Sequence, residues 1–133
     1  MFKKTIEYVD YNGVTRKEDF YFNLTEAELL EMHLVQEGGM EAYINRIMQT
    51  QDMRSLIKVF KDLISSSYGI KSLDGKRFIK SEELFTEFAQ TEAYSKLYVE
   101  LATDDIAASE FINGIVPANR RVDTSSILAE MNK

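Results

Sequence analysis

Three observations predict an α+β fold that is mainly helical. Apolar residues alternate only over the first 22 positions, recur every three or four thereafter, and are punctuated by helix-capping residues. The expected architecture is an N-terminal β-hairpin packed on a bundle of five or six short helices. With 133 residues the chain has room for one core. That domain is expected over residues 1–117, with a loosely ordered tail at 118–133.

Residues 2–9 and 14–22 read as two strands around Asp10-Tyr11-Asn12-Gly13, because Asn-Gly tolerates the positive φ of tight hairpins. Phe2, Ile6 and Tyr8 share a face of the first strand; Val14, Phe20 and Phe22 share a face of the second. Arg16 and Glu18 interrupt that second face, so the hairpin tip is expected to overhang the core.

Thr25-Glu26-Ala27-Glu28 has the form of a capping box and starts a helix expected to reach Gln36, ended by Gly38-Gly39. A second helix carries Met40, Tyr43, Ile44, Ile47 and Met48. Asp52 caps a third, whose stripe is Met53, Leu56, Ile57, Phe60, Leu63 and Ile64, with Gly69 as its left-handed stop. Residues 70–80 form a linker or short second hairpin about Asp74-Gly75. Ser81 then caps a helix bearing Leu84, Phe85 and Phe88. Thr91 caps one bearing Tyr94, Leu97, Tyr98 and Leu101. Asp104 and Asp105 open a last helix with Ala107, Phe111 and Ile112, which Gly114 is expected to end before Pro117. In the tail, Ile127, Leu128 and Met131 make one amphipathic turn.

Composition narrows the function. With 44% hydrophobic and 29% charged residues the chain has the make-up of a soluble globule. Zero cysteines exclude disulfides, thiolate zinc sites and cysteine nucleophiles, in keeping with a reducing cytoplasm. The start, Met1-Phe2-Lys3-Lys4-Thr5-Ile6, meets Glu7 and Asp10 before a signal-peptide core forms. No window approaches the ~18 apolar residues of a membrane span. A net charge of −6 opposes nucleic-acid binding.

Catalytic patterns are missing as well. Gly69 to Gly75-Lys76-Arg77 departs from a phosphate loop in spacing, in the residue after the lysine, and in having a helix where a strand should precede it. His33 has no partner histidine or cysteine and reads as structural. Between Ser81 and Glu110, eight carboxylates face Lys96 alone, as a solvated face or as a docking surface for a basic partner. The residues indicate a binding protein, not an enzyme, with no cofactor and no metal.

Several segments resemble tail assembly chaperones of long-tailed, siphovirus-type phages of Gram-positive bacteria. They are the opening strand pair with Phe20-Tyr-Phe-Asn-Leu-Thr-Glu-Ala-Glu-Leu29, Tyr68-Gly-Ile-Lys-Ser-Leu-Asp-Gly-Lys-Arg-Phe-Ile-Lys-Ser81, Gln90-Thr-Glu-Ala-Tyr-Ser-Lys-Leu97 and Glu110-Phe-Ile-Asn-Gly-Ile-Val-Pro117. The resemblance covers about residues 2–117, in order. It implies a protein functionally similar to the lambda tail assembly chaperone pair. Such a protein binds the tape measure protein in the host cytoplasm, keeps it soluble until the tail tube polymerises, and is absent from the virion. In that group a frameshifted longer product recruits tail tube protein, and self-association is a further expected contact. The candidate contact residues are Leu84, Phe85, Phe88, Tyr94, Leu97, Tyr98 and Phe111, assisted by Ile127, Leu128 and Met131. A structural tail-completion or connector protein, a host-directed regulatory module and a carboxylate-based hydrolase are the alternatives.

Overall fold

A computed structural model describes residues 1–32 and 53–117. Within them the chain runs β1 (Phe2–Val9), β2 (Thr15–Phe22), α1 (Glu26–Glu31), α2 (Met53–Ser67), β3 (Tyr68–Lys71), β4 (Phe78–Ile79), α3 (Glu82–Ala89), α4 (Glu92–Thr103) and α5 (Asp105–Ile115). The α+β class stands. His33, the Gly38-Gly39 stop, the helix bearing Met40 to Met48, the Asp52 cap and the 118–133 tail lie outside the described residues.

β1 and β2 pair in full antiparallel register from Phe2↔Phe22 to Val9↔Thr15. The turn closes because Asp10 accepts from the amides of Asn12 and Val14 while Gly13 takes φ +80°. Val14, expected on the inward face, lies in the turn and is exposed. Arg16 and Glu18 do interrupt the inward face, and each is neutralised locally. Arg16 reaches Asp10 at 2.6 Å, and Glu18 accepts a hydrogen bond from the buried Tyr8 hydroxyl. That bond, followed by burial, raises the Tyr8 pKa to about 12.

The sheet has four strands in the order β1-β2-β3-β4. The second hairpin joins the first only at Tyr21↔Gly69 and Phe22↔Tyr68, so the tip of β2 overhangs as expected. Gly69 is no helix stop. α2 passes directly into β3, and left-handed glycines stand instead at Gly13 and Gly75 in the two turns. What Gly69 supplies is closeness: a Cβ there would lie 2.7 Å from both the Ile79 carbonyl oxygen and the Phe78 ring.

The Thr25 capping box forms, with the Thr25 hydroxyl accepting from the Glu28 amide at 3.2 Å and the Glu28 carboxylate accepting from the Thr25 amide at 3.0 Å. Its helix ends at Glu31, short of the expected Gln36. The other oxygen of Glu28 takes Lys80 at 2.5 Å. The same ammonium donates to the carbonyls of Asn23 and Ser66 at 2.6 and 2.8 Å. One cation thus ties the β2–α1 connection, the end of α2 and the end of β4.

Phe22, Leu24, Leu29, Ile64, Leu97, Phe111, Ile112 and Ile115 form the centre of a single buried cluster. Along α2, Val59, Phe60, Leu63 and Ile64 are buried, with Ile57 at the exposed edge of the stripe. Phe2, Phe22 and Phe111 meet with ring centres 5.5 to 6.3 Å apart. Gly114 does not end α5, which continues to Ile115. It sits where the Phe2 ring crosses the helix, and a Cβ there would lie 2.6 Å from that ring.

Candidate partner-binding surface

Capping residues every ten or so positions divide the segment after β4 into three short helices. The Ser81 hydroxyl accepts from the Leu84 amide at 3.0 Å, and the Thr91 hydroxyl from the Tyr94 amide at 3.3 Å. Asp104 ends α4 and starts α5, its carboxylate accepting from the amides of Ile106 and Ala107. One residue therefore separates two helices, and both amphipathic faces turn onto the same sheet.

α4 lies antiparallel to β1. Lys4 pairs with Glu100 at 2.6 Å, Lys96 donates to the Glu7 carbonyl at 2.7 Å, and the hairpin-tip Tyr11 faces Glu92. An outer strand is covered by a helix in this way, which removes an edge available for aggregation.

The expected contact residues separate into two groups. Phe88, Leu97 and Phe111 are at most 3% exposed and belong to the core, so as surface contacts they are corrected. Phe88 stacks on Tyr68 with ring centres 4.4 Å apart and touches Phe20, Phe22 and Tyr94. Leu84, Phe85, Tyr94 and Tyr98 are partly buried and reach the surface. The rings continue outward from Phe88 to Tyr94, then to Phe85 on one side and Tyr98 on the other, in steps of 5.6 to 5.8 Å. Burial raises the pKa of both tyrosines, and the Tyr98 hydroxyl donates to the Ile57 carbonyl at 3.3 Å. Ile127, Leu128 and Met131 lie outside the described residues.

Two exposed apolar residues on these helices stand outside the expected set: Val99, 56% exposed on α4, and Ile106, 64% exposed on α5. Their signal was present in the sequence. Each is out of phase with the buried stripe of its helix, Ala93-Leu97-Leu101 for α4 and Ala108-Phe111-Ile112-Ile115 for α5.

Helices α3 to α5 are also acidic. Glu82, Glu83, Glu87, Asp105 and Glu110 form no ion pair among the described residues, and Lys96 is committed to the Glu7 carbonyl. Between the end of α2 and the start of α3 lies a cleft of about 400 Å³ lined by Ser65, Ser66, Lys80, Ser81, Glu82 and Phe85. The carboxylates do not converge on it. Among the described residues no cluster of histidines and carboxylates is placed to hold a metal ion. The former phosphate-loop candidate is a hairpin turn, in which Ser72 and Asp74 bond each other and the Arg77 and Lys76 amides. No described helix is long and apolar enough to cross a membrane.

The family model described as phage tail assembly chaperone matches residues 1–126. No curated protein and no solved structure matches the chain.

Proposed function

The chain belongs to the phage tail assembly chaperone family, and from that premise we propose that it binds the tape measure protein and keeps it soluble until the tail tube polymerises. On this reading it acts in the host cytoplasm, without enzymatic activity, and leaves before the virion is complete. The observation that carries the reading is the line of aromatic rings running from buried Phe88 out to Phe85 and Tyr98, on helices that also carry carboxylates with no ion pair among the described residues. A holdase needs apolar contact area held on a rigid support, and charge beside it for solubility. Many copies on one long client would gain by avidity, so each contact need not be strong.

Co-expression tests the reading. The tape measure protein is expected in the pellet when made alone and in the soluble fraction, bound to this chain, when the two are made together. An unchanged pellet refutes it. Mass spectrometry of purified particles separates it from a tail-completion or connector role, since stoichiometric presence in the virion would favour that alternative.

A further inference from the structure

We infer that the cleft between the end of α2 and the start of α3 is the anchor site for a helical segment whose apolar side chain is flanked by Lys or Arg. The inference rests on the proposed chaperone role and names where on the surface the client is gripped, and by what chemistry.

Phe85 supplies the apolar surface of the cleft. Its ring is fixed edge-on against Tyr94 at 5.8 Å, so it is a rigid platform. Ser65, Ser66 and Ser81 are short walls that leave about 400 Å³ open, enough for a leucine- or phenylalanine-sized side chain. Another cavity, about 190 Å³ between β1 and α4, is smaller and spanned by the Lys4–Glu100 pair.

Charge selects the occupant. Lys80 lines the cleft, but its ammonium is held by Glu28 and two carbonyls, so it offers no cation to a ligand. Glu82 and Glu83 remain, exposed in the first turn of α3 and without an ion pair among the described residues. An apolar anchor entering beside them meets a net negative rim. A neighbouring lysine or arginine on the partner complements it, and a glutamate there is repelled.

The test uses the full chain and two short fluorescent helical peptides that share one apolar stripe, one flanked by lysines and the other by glutamates. By anisotropy the lysine peptide should bind roughly tenfold tighter or better. That advantage should shrink with added salt and vanish in a Glu82→Gln, Glu83→Gln double variant. Ser65→Trp, which fills the cleft, should abolish binding with an unchanged circular dichroism spectrum. Where Ser65→Trp misfolds, the glutamine double variant decides. Equal binding of the two peptides, retained selectivity in the double variant, or undiminished binding by folded Ser65→Trp overturns the inference. So does concentration-dependent dimerisation that Ser65→Trp removes, because the occupant would then be a second copy. Should peptide selectivity fail while the tape measure protein is still held soluble, only the cleft assignment falls. The reverse pattern removes the chaperone role instead.

Discussion

Truncating Phe88 to alanine should cost far more stability than truncating Phe85, three residues earlier on the same helix. Phe88 is 3% exposed and enclosed by Phe20, Phe22, Tyr68 and Tyr94, with ring centres 4.4 to 6.0 Å away. Removing a core phenylalanine costs about 3–5 kcal/mol, and walls made of stiff rings collapse poorly into the void, which favours the upper half. Phe85 is partly buried and makes one edge-on contact, with Tyr94. Its loss should cost about 1 kcal/mol. Equilibrium urea unfolding followed by circular dichroism separates the two. With a slope of about 1–3 kcal/mol per molar, the midpoint should fall by roughly 2 M for Phe88→Ala and by a quarter of that for Phe85→Ala. Equal midpoints would refute the placement of Phe88 in the core. The same reasoning makes a charge at position 88 useless as a probe of binding, because an unpaired buried charge unfolds the protein first.

Gly69→Ala should destabilise by about 2 kcal/mol, because its Cβ meets the backbone carbonyl of Ile79, which cannot step aside. Gly114→Ala should cost less, since the neighbour that must give way there is the Phe2 side chain; urea midpoints of both variants check the order. Lys80→Met should lower stability by about 2 kcal/mol, since it strands the Glu28 carboxylate and two carbonyls that share one ammonium. A value near zero in the same assay would show that the three-way tie contributes nothing. Tyr8 has a folded pKa raised from 10.0 to about 12, so the stability contributed by its protonated form is complete below pH 10 and lost as pH rises toward 12. Phenolate absorbance against pH should lose its latest-ionising component in a Tyr8→Phe variant, and Glu18→Gln should shift that component down by removing the largest cause of the rise.

Much of the secondary structure was legible in local patterns. Thr25, Ser81 and Thr91 cap the helices they were expected to cap, and Asp104, expected only as a charge at the start of the last helix, caps it, because a side-chain oxygen bonding an amide two or three residues ahead is a purely local event. The two turns with Gly13 and Gly75 follow for the same reason, as does the strand alternation on either side of Gly13. Gly69 and Gly114 misled because a glycine near a helix end looks like a stop whether it is needed for positive φ or for a close neighbour. The neighbours, Ile79 across a hairpin and Phe2 at the far end of the chain, are not fixed by the local pattern at a helix end.

The candidate surface was legible only as a segment. Helical spacing places Phe85, Phe88, Tyr94, Leu97, Tyr98 and Phe111 on apolar faces, but spacing does not say which rings another element covers. Phe88 became core because Tyr68 and Phe20 arrive from the sheet, and Lys80 became a tie because three acceptors from separate elements converge on it. Capping, turn chemistry, charge and the absence of catalytic patterns were determined by the sequence itself, since each depends on residues within a few positions or on composition alone. Burial, the roles of Gly69 and Gly114, and the cleft at Phe85 were decided by tertiary structure, since each depends on which distant side chain comes to rest alongside.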